Sequence, residues 1–444
     1  MVNKMNRFAK DTTITLATRT SSLLINISAS IIIARVLGPE DKGIYSLAIL
    51  LPTLVFTLFN LGISPSTVYH IGKGKYSLEK IFGNNLLLSV LNSSLGILIS
   101  VIIVIFSQNT FLKDVPLLYL LIAMGIIPVS LIYSYLSSIL LGLKEFKKYN
   151  LVTLLKSLFF FVFIAVVLIG LRIGVEGAIS AEIISSLFVG IIIFVWIKKT
   201  AGRPSYLLDR DYTKSLCLYG IKAHVGNILA FLNYRLDMFL VNFFLSPLAV
   251  GYYSIAVGIV EKLWLVSQSA STVLFPTIAS EKSEERRKRL TPIISRNIFF
   301  ITIIGATATY FISHWIVVLL YSDAYLKSIK PLQILLPGVI SLSLSGVLAN
   351  DISARGKPLL NSYLSFFALI VNLLLNILLI PQLGINGAAL ASTISYSAQT
   401  IGRVIMYKKI SGNSIRETII IQKTDMKLYL DIISSAIRQI RYIF

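Results

Sequence analysis

Leu37-Gly38-Pro39-Glu40-Asp41-Lys42-Gly43-Ile44-Tyr45-Ser46-Leu47-Ala48 returns 208 positions later as Leu245-Ser246-Pro247-Leu248-Ala249-Val250-Gly251-Tyr252-Tyr253-Ser254-Ile255-Ala256. Both stretches read L-x-P-x-x-x-G-x-Y-S-[LI]-A, and each lies between two long apolar segments. A second pair keeps nearly the same spacing. Gly174-Val175-Glu176-Gly177-Ala178-Ile179-Ser180-Ala181 matches Gly384-Ile385-Asn386-Gly387-Ala388-Ala389-Leu390-Ala391 at an offset of 210, and there Lys198-Lys199 falls on Lys408-Lys409. Pro and Gly are ordinary turn residues, so chance could supply one match. Two ordered matches at a near-constant offset point to a duplicated chain.

Composition says where the duplicate lives. Of 444 residues, 55% are hydrophobic and only 14% charged, with mean hydropathy +0.80. A soluble chain of this length lacks the interior to hide that much apolar residue, and the long uncharged runs belong in a bilayer. The net charge of +21 does not point to nucleic acid, because the basic residues sit in short loops between apolar runs. A lone Cys217 excludes a disulfide framework and thiolate metal clusters. Lys4, Arg7 and Lys10 precede a full-length apolar span with no small-residue cleavage site, which reads as an uncleaved first helix.

Windows of about 20 apolar residues fall at 12–34, 43–70, 82–107, 115–141, 150–171 and 175–197, then at 214–240, 249–276, 293–320, 331–352, 359–381 and 384–407. The expected fold is therefore an all-α integral membrane protein of twelve transmembrane helices. An even number per half makes both halves enter from the same side, so the repeats are two parallel six-helix lobes. The expected division is an N-terminal lobe at 1–200, a linker at 201–213, a C-terminal lobe at 214–410 and an amphipathic tail at 411–444. In that tail Leu428, Ile432, Ile433, Ala436, Ile437 and Ile440 recur at helical spacing, which suits an interfacial helix held partly by anionic lipid.

Orientation follows from counting. One set of loops and termini carries 28 of the 41 Lys and Arg residues, and the opposite loops carry 6. The positive-inside rule then makes both termini cytoplasmic.

Ionisable groups within a span cost roughly 2.5–3.5 kcal/mol each on insertion scales, so they face a protein interior or a wet cavity. In the first helix Thr15, Arg19, Ser22 and Asn26 recur at i, i+4, i+7 and i+11 on one face. Interhelical hydrogen bonding explains Thr and Asn there, whereas a hydrated cavity wall explains the whole stripe. In the seventh helix Lys222, Asn233 and Asp237 share an arc, and Arg235 points nearly opposite Asp237. Asp237 is a candidate both for an interhelical pair near the outer end and for ion coupling. Glu261 and Lys262 sit midway along the eighth helix, and Glu261 is the second coupling candidate. Lys156, Arg296 and Arg403 lie near span ends, from which long side chains can snorkel. Glu182 receives no role.

Catalytic chemistry is thin. His70, His224 and His314 stand alone, without HExxH spacing, and no G-x-x-x-x-G-K-[ST] occurs. The expectation is a protein that is not an enzyme and holds no cofactor or metal, with coupling to a Na+ or H+ gradient as the energy source.

Ile33-Ala34-Arg35-Val36-Leu37-Gly38-Pro39 with Gly43-Ile44-Tyr45-Ser46-Leu47-Ala48 resembles the start of bacterial polysaccharide-biosynthesis flippases. These are the Wzx-type members of the multidrug/oligosaccharidyl-lipid/polysaccharide exporter superfamily. Arg235-Leu236-Asp237, Gly251-Tyr252-Tyr253-Ser254 and Phe275-Pro276 resemble that family's second lobe, and Gly384-Ile385-Asn386-Gly387-Ala388 its entry to the last helix. The resemblance implies a MATE-like fold: two lobes around a central cavity walled by helices 1, 2, 7 and 8. It also implies a polyprenyl-pyrophosphate-linked oligosaccharide as cargo, moved from the cytoplasmic to the outer leaflet for capsule, O-antigen or exopolysaccharide synthesis. Arg19, Lys222 and Lys262 lie on those helices, and basic groups in a low-dielectric cavity attract a pyrophosphate strongly. With Thr15, Ser22, Asn26 and Arg235 they form the expected cargo site. The expected setting is a bacterial or archaeal plasma membrane, with a monomer meeting membrane lipids and the pathway's glycosyltransferases or polymerase, and no nucleic acid.

Four other readings compete. A cation-coupled multidrug exporter of the same superfamily needs an acidic or apolar cavity, against the basic excess here. Peptidoglycan-precursor flippases usually have two more helices. A major-facilitator transporter should show an acidic-Arg-Gly-Arg pattern in the loop from Gly72 to Gly83, which is absent. A membrane-embedded glycan polymerase commonly needs a large outer loop with catalytic groups, and no outer loop here exceeds about a dozen residues.

Overall fold

A computed structural model describes residues 2–281 and 283–425. Among them, eight helical stretches are long and apolar enough to cross a membrane, or nine if Arg210–Ile221 and His224–Phe244, bent by 47°, are taken as one span. The interfacial helix expected over 428–440 lies outside the described residues. The described chain packs as two compact units.

The first unit comprises Met1–Ser254 and Leu320–Tyr325. Helix α1 (Val2–Phe59) is two helices in line, separated at Gly38 (φ 74°, ψ 175°), and Pro39 then occupies a helix start, where its missing N–H costs nothing. A break at Leu61 and Gly62, both at positive φ, leads into α2 (Ile63–Lys73). After α3 (Leu78–Ser107) come α4 (Leu117–Met124) and α5 (Ile126–Gly142), parted at Gly125 and together forming one apolar stretch. Helix α6 (Phe146–Ile164) loosens into a π turn at Ala165–Gly170, and α7 (Gly174–Ala201) runs back. Helix α8 (Arg210–Phe244) is capped by Asp209, whose side chain accepts from the Tyr212 N–H. Helix α9 (Pro247–Ser280) opens in this unit. Segment 320–325 joins through the Leu320 carbonyl, which accepts from Arg35 Nε at 2.9 Å, and through Tyr325, which donates to the Ala34 carbonyl at 2.8 Å.

The duplicated stretches meet inside this unit. A Cβ placed on Gly43 would lie 1.7 Å from the Pro247 carbonyl oxygen, and one on Gly251 would lie 1.8 Å from that of Pro39. Only glycine permits backbones to approach so closely. Gly62 and Gly220 make a second such contact, since a Cβ on Gly62 would lie 2.3 Å from the Gly220 carbonyl oxygen.

The second unit comprises Ile255–Leu319 and Leu326–Phe444. It holds the rest of α9, then α10 (Glu284–Tyr321) as far as Leu319, α11 (Ile329–Ala354), α12 (Pro358–Leu383), α13 (Ile385–Ser411) and the short α14 (Ile415–Ile419). Helix α13 carries a buried polar row. Ser395 donates to the Ala368 carbonyl at 2.7 Å, Gln399 to Ser365 at 3.0 Å, and Asn372 to Ser392 at 3.3 Å. With lipid outside, such hydrogen bonds between helices do the gluing that hydrophobic burial does in water. Leu98, Ile105, Phe106, Phe311 and Leu374 are exposed large apolar side chains on helices of both units, as an acyl environment requires.

Candidate functional site

The polar stripe of α1 divides between two tasks. Asn150 of α6 donates to Thr15 at 2.8 Å, and Asn26 donates to Ser157 of α6 at 3.2 Å, so the outer members of the stripe zip α1 to α6. Ser22 is buried, and its hydroxyl has no hydrogen-bond partner among the described residues. Arg19 is exposed and forms no ion pair or hydrogen bond among the described residues. It stands 19 residues before Gly38 on the α1 helix, about 28 Å at 1.5 Å per residue.

On α8 and α9, Asp237 is fully buried. Its carboxylate accepts from the Tyr253 hydroxyl at 2.6 Å and from the Met238 N–H at 2.8 Å. Tyr253 belongs to the second duplicated stretch, so Asp237 braces α8 against the start of α9. Arg235 and Glu261 are half-buried and Lys262 is exposed. The side chain of Lys222 lies outside the described residues.

One charge pair between helices is not revealed by the sequence. Lys156 Nζ on α6 stands 3.2 Å from a Glu182 carboxylate oxygen on α7 and 4.9 Å from the centroid of the Tyr133 ring. Lys156 is ten residues from the start of α6, and Glu182 eight from the start of α7. At 1.5 Å per residue those are about 15 and 12 Å, so the pair is deep in the span. The snorkelling expected of Lys156 is thus replaced by pairing, because a carboxylate on the neighbouring helix offers a nearer partner than the interface. Arg403 also stays in: it is buried and donates to Ser345 at 2.7 Å and Ser365 at 3.2 Å. Arg296 is buried too, forked onto Asp425 at 2.5 and 2.7 Å.

Outside the spans, Asp209 is tied down. The Tyr212 N–H and then Lys80, at 3.1 Å, hold the Asp209 carboxyl below the usual range. Among the described residues no group of three or more His, Cys, Asp or Glu side chains is placed to hold a metal ion.

A family model described as polysaccharide biosynthesis protein matches residues 32–330. The putative O-antigen transporter of Shigella flexneri is 25% identical over 402 residues, covering 84% of this chain and 90% of that protein. A probable low-salt glycan biosynthesis flippase of Haloferax volcanii is 25% identical over 236 residues, 51% of this chain and 49% of its own. In three dimensions the chain is similar to the lipid II flippase MurJ in an inward closed conformation, with TM-score 0.73 and 18% identity over 91% of this chain and 88% of that one. Structural likeness at that identity speaks for the fold. The match over 32–330 carries the assignment, and this multi-pass membrane chain belongs to the polysaccharide biosynthesis protein family.

Proposed function

We propose that the chain is a flippase that carries a polyprenyl-pyrophosphate-linked oligosaccharide from the cytoplasmic to the outer leaflet by alternating access. On this reading twelve spans form two parallel six-helix lobes with both termini cytoplasmic, and the protein transports without catalysing a reaction. The observation that carries it is Arg19: an exposed cation on the apolar first helix, without a partner among the described residues. With the N-terminus cytoplasmic, Arg19 stands where a diphosphate headgroup would enter, and a low-dielectric surround would strengthen the attraction. Lys222, Lys262 and Arg235 complete the cationic set, and Thr15, Ser22 and Asn26 offer hydroxyl and amide contacts to sugar. Asp237 and Glu261 are the proposed coupling carboxylates, and the pathway's glycosyltransferases or polymerase the proposed partners.

Arg19→Ala should abolish glycan export in cells while the protein still reaches the membrane at its usual level. Unchanged export overturns the role of Arg19. An Asp237→Asn protein whose transport responds unchanged to proton and sodium gradients overturns the coupling role. A multidrug exporter of the same superfamily separates cleanly: it would transport lipophilic cations, and it would leave no lipid-linked glycan stranded in a deletion strain.

A further inference from the structure

The first turns of α10 and the segment after α13 line an open cavity of about 630 Å³, a size typical of small-molecule sites. Its lining includes Arg296, whose charge is already spent. Besides its fork onto Asp425, Arg296 donates to the Glu417 carbonyl at 3.1 Å, and Ser295 beside it donates to the Thr418 carbonyl at 2.7 Å. The other charged lining groups are Lys288 and Arg289 on one hand, Glu285 and Glu417 on the other. Glu285, Lys288 and Arg289 form no side-chain ion pair among the described residues, although Glu284 and Arg287 beside them do. Glu417 caps α14, and the hydrogen bonds from Ser414 hold its carboxyl below the usual range, so it stays anionic. The cavity thus offers two cations and two anions.

Its depth is set by the helix. Lys288 precedes Ile293 by five residues, about 7.5 Å along α10. At Ile293 the exposed apolar side chains begin, continuing with Phe300, Ile301 and Ile304. Ile415 and Ile420 are exposed on the C-terminal segment. Charged groups one turn above an apolar belt lie at headgroup level.

We infer that this cavity binds the headgroup of a membrane phospholipid bearing a primary amine, with phosphate on Lys288 and Arg289 and ammonium on Glu285 and Glu417. A purely anionic headgroup would set its phosphate against two carboxylates. A choline headgroup matches the charges but has no N–H to donate to them. Free phosphate makes no use of Pro292 and Ile293. The site is independent of cargo.

The full chain should be reconstituted in nanodiscs of phosphatidylcholine alone, or with added phosphatidylethanolamine or phosphatidylglycerol. Lipid retained by the protein is then read by native mass spectrometry, and the unfolding midpoint by thermal melting. Phosphatidylethanolamine should be retained several-fold over the other two and raise the midpoint by several degrees. Lys288→Gln with Arg289→Gln should lose both effects. Glu285→Gln, at an exposed first-turn position, should lose the preference for ethanolamine over choline. That single variant decides the matter should the double one fail to fold. Equal retention of phosphatidylcholine, preferential retention of phosphatidylglycerol, or equal protection by inorganic phosphate alone would each overturn the assignment.

Discussion

Gly43 presses against Pro247 with no room for a single added carbon, and the same contact recurs between Gly251 and Pro39. The two duplicated stretches therefore touch reciprocally, each glycine on the other's proline.

Gly43→Ala and Gly251→Ala should be severe and nearly equal in effect. The added methyl meets backbone, which cannot rotate away, so the cost should reach or exceed the ~1–3 kcal/mol of ordinary overpacking. Gly72→Ala has open space around it and should be neutral, while Gly38→Ala meets nothing but sits at φ 74° and ψ 175° and should cost about 1–3 kcal/mol. Thermal unfolding of the purified proteins, with membrane yield, ranks all four.

Much of this was legible in advance. The repeated L-x-P-x-x-x-G-x-Y-S marks both glycine–proline contacts, and apolar periods place the helices. Partner identity was not legible. Lys156 and Glu182 are 26 positions apart on different helices, and nothing in either helix's periodicity says which faces adjoin. Thr15 and Asn26 were readable as a stripe, but whether it faced α6 or water depended on Asn150 and Ser157 across the gap.

Neutralising one member of the Lys156–Glu182 pair should hurt more than neutralising both. A fully buried charge left alone costs about 3–5 kcal/mol. With side chains 27% and 25% exposed, the single variants Lys156→Met and Glu182→Gln should fall below that. Lys156→Met/Glu182→Gln should cost less than the sum of its parts. A double-variant cycle in thermal unfolding measures the coupling, and strict additivity would show the pair to be idle.

Asp351 is buried and accepts from Thr291 and Arg355, each at 2.5 Å, and Arg355 also pairs with Glu284. Arg355→Met strands a buried carboxylate and should cost about 3–5 kcal/mol. Glu284, half-exposed, is the control: Glu284→Gln should cost at most about 1 kcal/mol. The two midpoints should differ accordingly.

The C-terminal segment should come loose in acid. Burial alone would push the Asp425 carboxyl up, but the Arg296 fork and the Gln422 N–H pull it below the usual range. A carboxylate whose value is lower folded than unfolded stabilises above its unfolded value. That contribution is lost as pH falls through the depressed folded value. Hydrogen exchange over 412–425 should thus be protected at neutral pH and open below the ordinary Asp range. Asp425→Asn should open the segment at neutral pH and flatten the profile.

Gly62 and Gly220 bring α2 and α8 together through bare main chain at the point where α2 begins. Surfaces without side chains have no ridges to lock into grooves, so sliding there requires no rotamer to change. The junction thus acts as a spacer: bare backbone, and no interlocked side chain, fixes how near the two helices run.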